Sequence, residues 1–373
     1  MNKKIFRSLV AVIFVFVAAI GAAKAQGLID SLFTIDSFHP PVAGDPTAPL
    51  YKEWHYFNIL DEEQGLSYIT TFMLNGDVSN TAMSAAVNLV SYNTPAASNV
   101  KFDYYPITMA QWSSTSPNVA IGNSSVKLEN DGYHVYTLSQ DGSTEFSAVY
   151  KPEVDPASAW TVPIVEIPAR SMNWFVAVSK ATVNGTLTVN KGTSQEKIYT
   201  LKNVRGYHDH NWGRWLWSDD MGWDWGQAIS KKVGNTDVGI YSISLGHMTN
   251  NSHTISRAST FDLWKNDKII AAFKDSEIQI SHESMAALPT MPNNPYPAVN
   301  VITTASGNDK LNIRFTTEQA TPIMVPLQAE GVNGYRIIWE LVGKYEVNGK
   351  INDDKVKFET NGYMEYVGEL LML

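Results

Sequence analysis

The sequence predicts an all-β chain made of two consecutive antiparallel β units, each a barrel or a sandwich. Three observations support this. Short apolar runs such as TVPIVEI, WFVAVSKATV, DVGIYSISL and VKFETNGYMEYVG are bounded by Gly, Asn, Asp or Pro. β-branched and aromatic residues dominate these runs, often in alternation, as in Ile278–Gln279–Ile280. Dipeptides suited to tight hairpins recur at Asn75–Gly76, Asp131–Gly132, Asp141–Gly142, Asn184–Gly185 and Asn348–Gly349. Only residues 83–89 and 109–111 look weakly helical.

Residues 1–25 read as a secretory signal. Lys3, Lys4 and Arg7 precede an apolar run from Ser8 to Ile20, and Ala23–Lys24–Ala25 ends in an A-x-A pattern. That run is shorter than the roughly 20 residues of a membrane-spanning helix, so no stable span is expected after cleavage. The expected location is periplasmic or secreted. Residues 27–50, with Pro40, Pro41, Pro46 and Pro49, look like an extended lead-in. The first β domain is placed at 26–215 and the second at 216–373.

The chain has 28 basic and 37 acidic residues, and four of the basic ones lie in the signal. The remainder carries a net charge of −13, which repels nucleic acid phosphates. With no cysteine there is no disulfide, thiolate nucleophile or cysteine metal site. No phosphate loop, dinucleotide fingerprint or nucleophile elbow occurs, and no cofactor is called for.

One segment concentrates the chemistry. Gly206–Gly226, GYHDHNWGRWLWSDDMGWDWG, holds five of the eleven tryptophans, two of the eight histidines and four aspartates. On a strand, His208 and His210 share one face, and Tyr207, Asp209 and Asn211 the other. H-x-H is a metal half-site, but no third ligand stands at a convincing spacing. His247 and His253 are remote candidates, and no metal is expected. The alternative is an imidazole positioned by Asp209 as a proton donor or hydrogen bonder. A purely structural histidine, satisfying backbone groups where two domains meet, is the third reading. Trp215 with Trp217, and Trp223 with Trp225, pair on single faces. They suit a domain-interface core, a sugar-stacking cleft or the wall of an apolar cavity. Two distant fragments repeat the chemistry: Glu53–Trp54–His55–Tyr56–Phe57–Asn58, and Asn361–Tyr366 with Glu365. Together the three fragments suggest a shared cavity.

On these residues the chain resembles the lipocalin-like family of carotenoid 1,2-hydratases (hydroxyneurosporene synthases), AttH-type proteins and Diels–Alderases. Glu53–Phe57 is similar to the family's E-W-W-Y-F opening, with His55 in place of the second Trp. Gly206–Gly213 is similar to its G-x-Y-x-D-H-x-W-G signature, followed by Gly222–Trp225. Gly349–Glu365 matches its closing pattern more loosely. The resemblance implies two lipocalin-like β domains with an apolar pocket at or between them, and a polyene, isoprenoid or polyketide as substrate. It implies His210 and Trp212 in the active site, with Asp209 orienting. It also implies a Tyr-x-Asp pair on the following strand, where Tyr241 fits but Ile243 replaces the acid. Asp224 or Glu365 then supplies the acid. Trp54, Tyr56, Tyr207, Trp215, Trp217, Trp223 and Trp225 are expected to line the pocket, with His210 projecting into it. The expected activity is cyclisation by shape and His/Trp hydrogen bonding. Hydration of a C=C bond and plain carriage of an apolar ligand are the alternatives.

Overall fold

A computed structural model describes residues 27–42, 44–77, 84–94, 100–157, 160–164, 170–234 and 236–373; the signal residues 1–25 lie outside them. The first sheet comprises β1 (Tyr51–Asp61), β2 (Leu66–Asn75), β3 (Ser84–Tyr92), β4 (Val100–Pro106), β5 (Ala110–Trp112), β6 (Val119–Ile121), β7 (Ser124–Glu129), β8 (Gly132–Leu138), β9 (Thr144–Pro152), β10 (Trp160–Pro163), β11 (Ser171–Val189) and β12 (Lys197–Arg214). The second comprises β13 (Gly222–Ile229), β14 (Tyr241–Thr249), β15 (Ser256–Lys265), β16 (Lys268–Lys274), β17 (Ile278–Ala286), β18 (Tyr296–Ser306), β19 (Asp309–Pro326), β20 (Gly334–Ile351), β21 (Asp354–Val367) and β22 (Leu371–Met372).

Both sheets are antiparallel, and one is nearly closed into a barrel. Each departs from sequence order once: β1 pairs with β12, and β13 pairs with β21. The chain therefore completes the first sheet at Arg214 and opens the second at Gly222. Arg336, fully buried, clamps the connection by donating to the carbonyls of Trp217, Asp219 and Met221 at 2.6–3.0 Å. Its guanidinium exchanges water for backbone acceptors.

Three local expectations change. Residues 84–92 are a strand hydrogen-bonded on both sides, by β2 and β4, so pairing overrides the weak helical propensity of the alanines. The lead-in is not extended throughout, because residues 27–35 are helical. Ile29, Leu32 and Phe38 sit in the first sheet's core, so the lead-in packs into that sheet's interior. Asn184–Gly185 and Asn348–Gly349 lie inside β11 and β20 rather than at hairpins. A Cβ on Gly349 would meet the Lys310 carbonyl oxygen at 2.1 Å, so glycine there serves strand approach. The β20–β21 turn is made instead by Asn352 and Asp353, both at positive φ.

Apolar burial falls into three layers: one core inside each sheet and a third between them. Alternation along β1 and β12 decides who goes where. Tyr51, Phe57 and Ile59 enter the first sheet's core, while Tyr56 and Leu60 join the middle layer, with Trp54 packed against it. Glu53, His55, His208 and His210 follow the first set.

They form a closed ionic cluster around Asp36, which follows the helical segment. His210 Nδ1 lies 3.1 Å from Asp36 and its Nε2 2.7 Å from Glu53, so both ring nitrogens meet carboxylates. His208 donates Nδ1–H to the Tyr56 carbonyl and places Nε2 at 2.9 Å from Asp36. Tyr133 donates to Asp36 at 2.6 Å, and Tyr51 and the His39 amide donate to Glu53. Burial alone would depress the His210 pKa, but the two carboxylates raise it to about 9. Burial alone would raise Asp36, but His208, His55 and His210 hold it well below the usual carboxylate range.

The His210 contribution is complete below its unfolded pKa of 6.5 and is lost as pH rises through about 9. The Asp36 contribution is present above 3.8 and is lost as pH falls below it. In thermal or urea melts we expect His210→Ala to cost about 3–5 kcal/mol by stranding a buried partner charge. We also expect about 3 kcal/mol of wild-type stability to vanish between roughly pH 6.5 and 9, a loss absent in the variant. A stable variant with an unchanged alkaline limb would show that this pairing does not hold the barrel.

Candidate functional site

The middle layer contains a narrow crevice, partly open to solvent, with a cavity volume of about 40 Å³. Trp54 and Tyr56 from β1, Trp160 from β10, Trp174 from β11, and Trp223 and Trp225 from β13 supply most of its wall. Asp209, Asn211, Asp224, His247, Met172, Met248, Gly246 and Glu365 complete it. Gly246 is required: a Cβ there would lie 2.8 Å from the Trp174 ring and 2.9 Å from that of Trp160.

Two carboxyls reach this apolar space without a cationic partner. Asp209 accepts hydrogen bonds from the Trp174 indole (2.9 Å), the Tyr207 hydroxyl (2.9 Å) and the Asn211 amide (3.2 Å). Burial still raises its pKa to about 6, because the donors offset only part of the desolvation. Glu365 accepts from the Trp223 indole at 2.9 Å. Directly opposite this half-buried residue across the strand pair stands Glu340, which is buried. Burial pushes both glutamates up, and the Glu365 charge lifts Glu340 further, well above the carboxylate range. Side by side on the β20–β21 pair, the two retain a proton at neutral pH, held mainly by Glu340.

The sequence-predicted residues separate. Trp54, Tyr56, Trp223, Trp225, Asp209 and Glu365 border the crevice; Asp224 lies along it, but its carboxylate is held by His247 and His282 on the other face of β13. Tyr207 stands behind Asp209 as its hydrogen-bond donor. Trp215 and Trp217 pack against Trp54 and beneath Lys52, whose ammonium lies 5.8 Å from each ring, as inter-sheet core. His210 does not project into the crevice, and Trp212 does not line it. The strand alternation turns both toward the opposite face, where Trp212 stacks on His39 at 4.1 Å. Tyr241 and Ile243 face the second sheet's core, with Tyr241 stacked on Phe358 at 5.3 Å. An acid at position 243 would therefore point away from the crevice.

Trp160, Trp174, Met172, Asn211, His247, Met248 and Glu340 went unassigned to this site by sequence reasoning. Glu340 had a usable signal: it is a carboxylate within the aromatic strand YRIIWELVG, as Glu365 is in its own. Trp174 opens the apolar run WFVAVSKATV, but only the β11–β12 register, pairing it with Asn211, brings it to Asp209.

Several clusters have metal-ligand chemistry. Asp36, His55 and His210, and His39, Glu53 and His210, lie in the first barrel. Asp224, His253 and His282 lie in the second sheet, and an exposed trio is formed by Glu129, Asp131 and His134. His208 and His210 thus never meet His247 or His253.

No protein-family model matches the chain, and no curated protein matches it in sequence. Solved structures do. An AttH-type protein from Nitrosomonas europaea aligns over 89% of this chain and 99% of its own, with 14% identity and a TM-score of 0.57. CghA, a Diels–Alderase crystallised with Sch210972, aligns over 91% and 97%, with 13% identity and a TM-score of 0.52. Kievitone hydratase from Nectria haematococca aligns over 90% and 94%, with 16% identity and a TM-score of 0.50. At such identities the likeness is one of fold. The chain therefore has the two-unit lipocalin-like β fold of these AttH-type, Diels–Alderase and hydratase structures.

Proposed function

We propose that the protein is an exported enzyme that protonates a C=C bond of an apolar polyene, isoprenoid or polyketide in the inter-sheet crevice. The observation that carries this reading is Glu365, a half-buried carboxyl beside indole faces with the buried Glu340 paired opposite it. Alkene protonation needs an un-ionised acid in an apolar site, and a carboxyl pair sharing one proton provides it. Glu365, with a pKa raised to about 7, is protonated in part of the molecules at neutral pH or takes the Glu340 proton; it delivers that proton to the alkene, and solvent restores it to the pair. The resulting carbocation lies against Trp54, Trp223 and Trp225, whose π faces each stabilise a cation by about 0.5–2 kcal/mol. Asp209, held by three donors and closer to its ionised state, is the base. It removes a proton to end a cyclisation or activates water to complete a hydration. Cyclisation through hydrogen bonds from His210 and Trp212 has no support in the crevice, because both side chains lie on the other face.

The test uses a set of linear isoprenoids and polyenes incubated in deuterium oxide, with products read by mass spectrometry. We expect deuterium on carbon in the cyclised or hydrated product. Glu365→Gln should lower the rate about 10²–10⁴-fold without lowering the melting temperature. Rearranged product free of deuterium would identify a pericyclic enzyme, and recovery of bound, unaltered ligand would identify a carrier. Either result rejects the proposal.

The acids also leave a thermodynamic trace. Asp209 has a folded pKa above its unfolded value, so between 3.8 and about 6 the folded chain binds more protons than the unfolded one. Its contribution makes stability fall as pH rises through that window, by about 3 kcal/mol. Urea melts should show this slope in the wild type and a flatter one in Asp209→Asn. Equal slopes would show that Asp209 titrates normally.

A further inference from the structure

We propose that Asp224, His253 and His282 form a binding site for a divalent transition-metal ion of the zinc type, with His247 holding Asp224 in place. The site belongs to the second sheet and does not depend on the crevice chemistry. Register pairs Asp224 with His247 on one side and Tyr366 on the other, and alternation puts these three on the face opposite Trp223, Trp225 and Glu365.

Asp224 is fully buried, and among the described residues its hydrogen bonds all come from imidazoles. His282 Nε2 lies 2.9 Å from Oδ1, His247 Nδ1 2.9 Å from Oδ2, and His253 Nδ1 3.3 Å from Oδ2. Tetrahedral zinc, with bonds of about 2.0–2.2 Å, sets its ligand atoms roughly 3.3 Å apart, so these separations suit it. One ligand atom from each of Asp224, His253 and His282 lies within 4.8 Å of the other two.

His253 is the independent sign of a cation. Its Nε2 donates to the Val367 carbonyl at 2.8 Å, which fixes the ring with Nδ1 turned toward Asp224. That nitrogen is buried, has no hydrogen-bond partner and faces a carboxylate oxygen. A positive charge between that nitrogen and the carboxylate, a metal ion or a proton, holds the two together, and the 3.3 Å separation is wide enough for metal ligands. Fixing one ring nitrogen on a carbonyl so that the other presents its lone pair is how metal-bound histidines are oriented. Tyr366 supports the arrangement, stacking on His253 at 4.5 Å and meeting His282 edge-on at 5.2 Å. The Asp36 cluster differs, because Tyr133 donates a hydroxyl hydrogen bond to its carboxylate and His210 links it to a second one, Glu53. The His282 side chain is 17% and that of His247 13% exposed, which leaves the ion a route from solvent. Two histidines and a carboxylate leave a fourth coordination position open.

The test strips the full-length mature protein with a chelator and titrates Zn²⁺ against a chromophoric competitor. We expect one equivalent to bind and to raise the melting temperature. His253→Ala and His282→Ala, checked for folding by circular dichroism, should weaken that equivalent at least 100-fold and abolish the thermal shift. His134→Ala, in the exposed trio, should leave both unchanged. Co²⁺ should give visible ligand-field absorption in the wild type and not in His282→Ala. No uptake by the wild type, or equal uptake by the His253 and His282 variants, would overturn the site and leave a proton on His253 as what separates it from Asp224.

Discussion

Everything in this structure depends on the two-residue alternation of the β1–β12 pair. One face of that ribbon, Glu53, His55, His208 and His210, closes the first barrel around Asp36. The other face, Trp54, Tyr56, Asp209 and Asn211, walls the space shared with the second sheet. A slip of one residue would exchange the two sets, driving an ionic cluster into the indole crevice and indoles into the barrel. The motif that looked like one site is two back-to-back surfaces of a single ribbon.

The same low-dielectric interior treats its carboxyls in opposite ways. Asp36 and Asp224 are ringed by imidazoles and held well below the carboxylate range, because paired charge outweighs the burial that pushes them up. Asp209, Glu340 and Glu365 meet indoles, phenols, an amide and one another, and burial wins. The first kind holds the fold or a metal ion; the second kind keeps a proton available. Divergent environments for like groups are what distinguish a scaffold from an acid–base site. The crevice lies where β1, β10, β11, β12, β13, β14 and β21 meet.

Much of this was legible in the sequence, and the reason it stopped short is physical. Alternating β-branched and aromatic runs identified an antiparallel chain, and the motifs at Glu53–Phe57, Gly206–Gly213 and Gly222–Trp225 pointed to the fold. The alternation rule even placed His208 and His210 opposite Asp209. What it does not say is which face meets the other sheet, and that choice moved the catalytic reading from His210 to Glu365. Glu340 and Trp174 reach the site through strand register and Asp36 reaches His208 through packing, long-range relations that local pattern does not carry. Residues 84–92 show the converse, since a sequence weakly inclined to helix becomes a strand between two partners.

The central claim is that a protonated carboxyl stands beside an indole-walled space at neutral pH. Infrared difference spectroscopy of the wild type against Glu340→Gln and Glu365→Gln reads it directly. The account predicts an un-ionised carboxyl C=O band near neutral pH that shifts in deuterium oxide and is lost or displaced in both variants. A wild-type spectrum showing only carboxylate bands at that pH would contradict it.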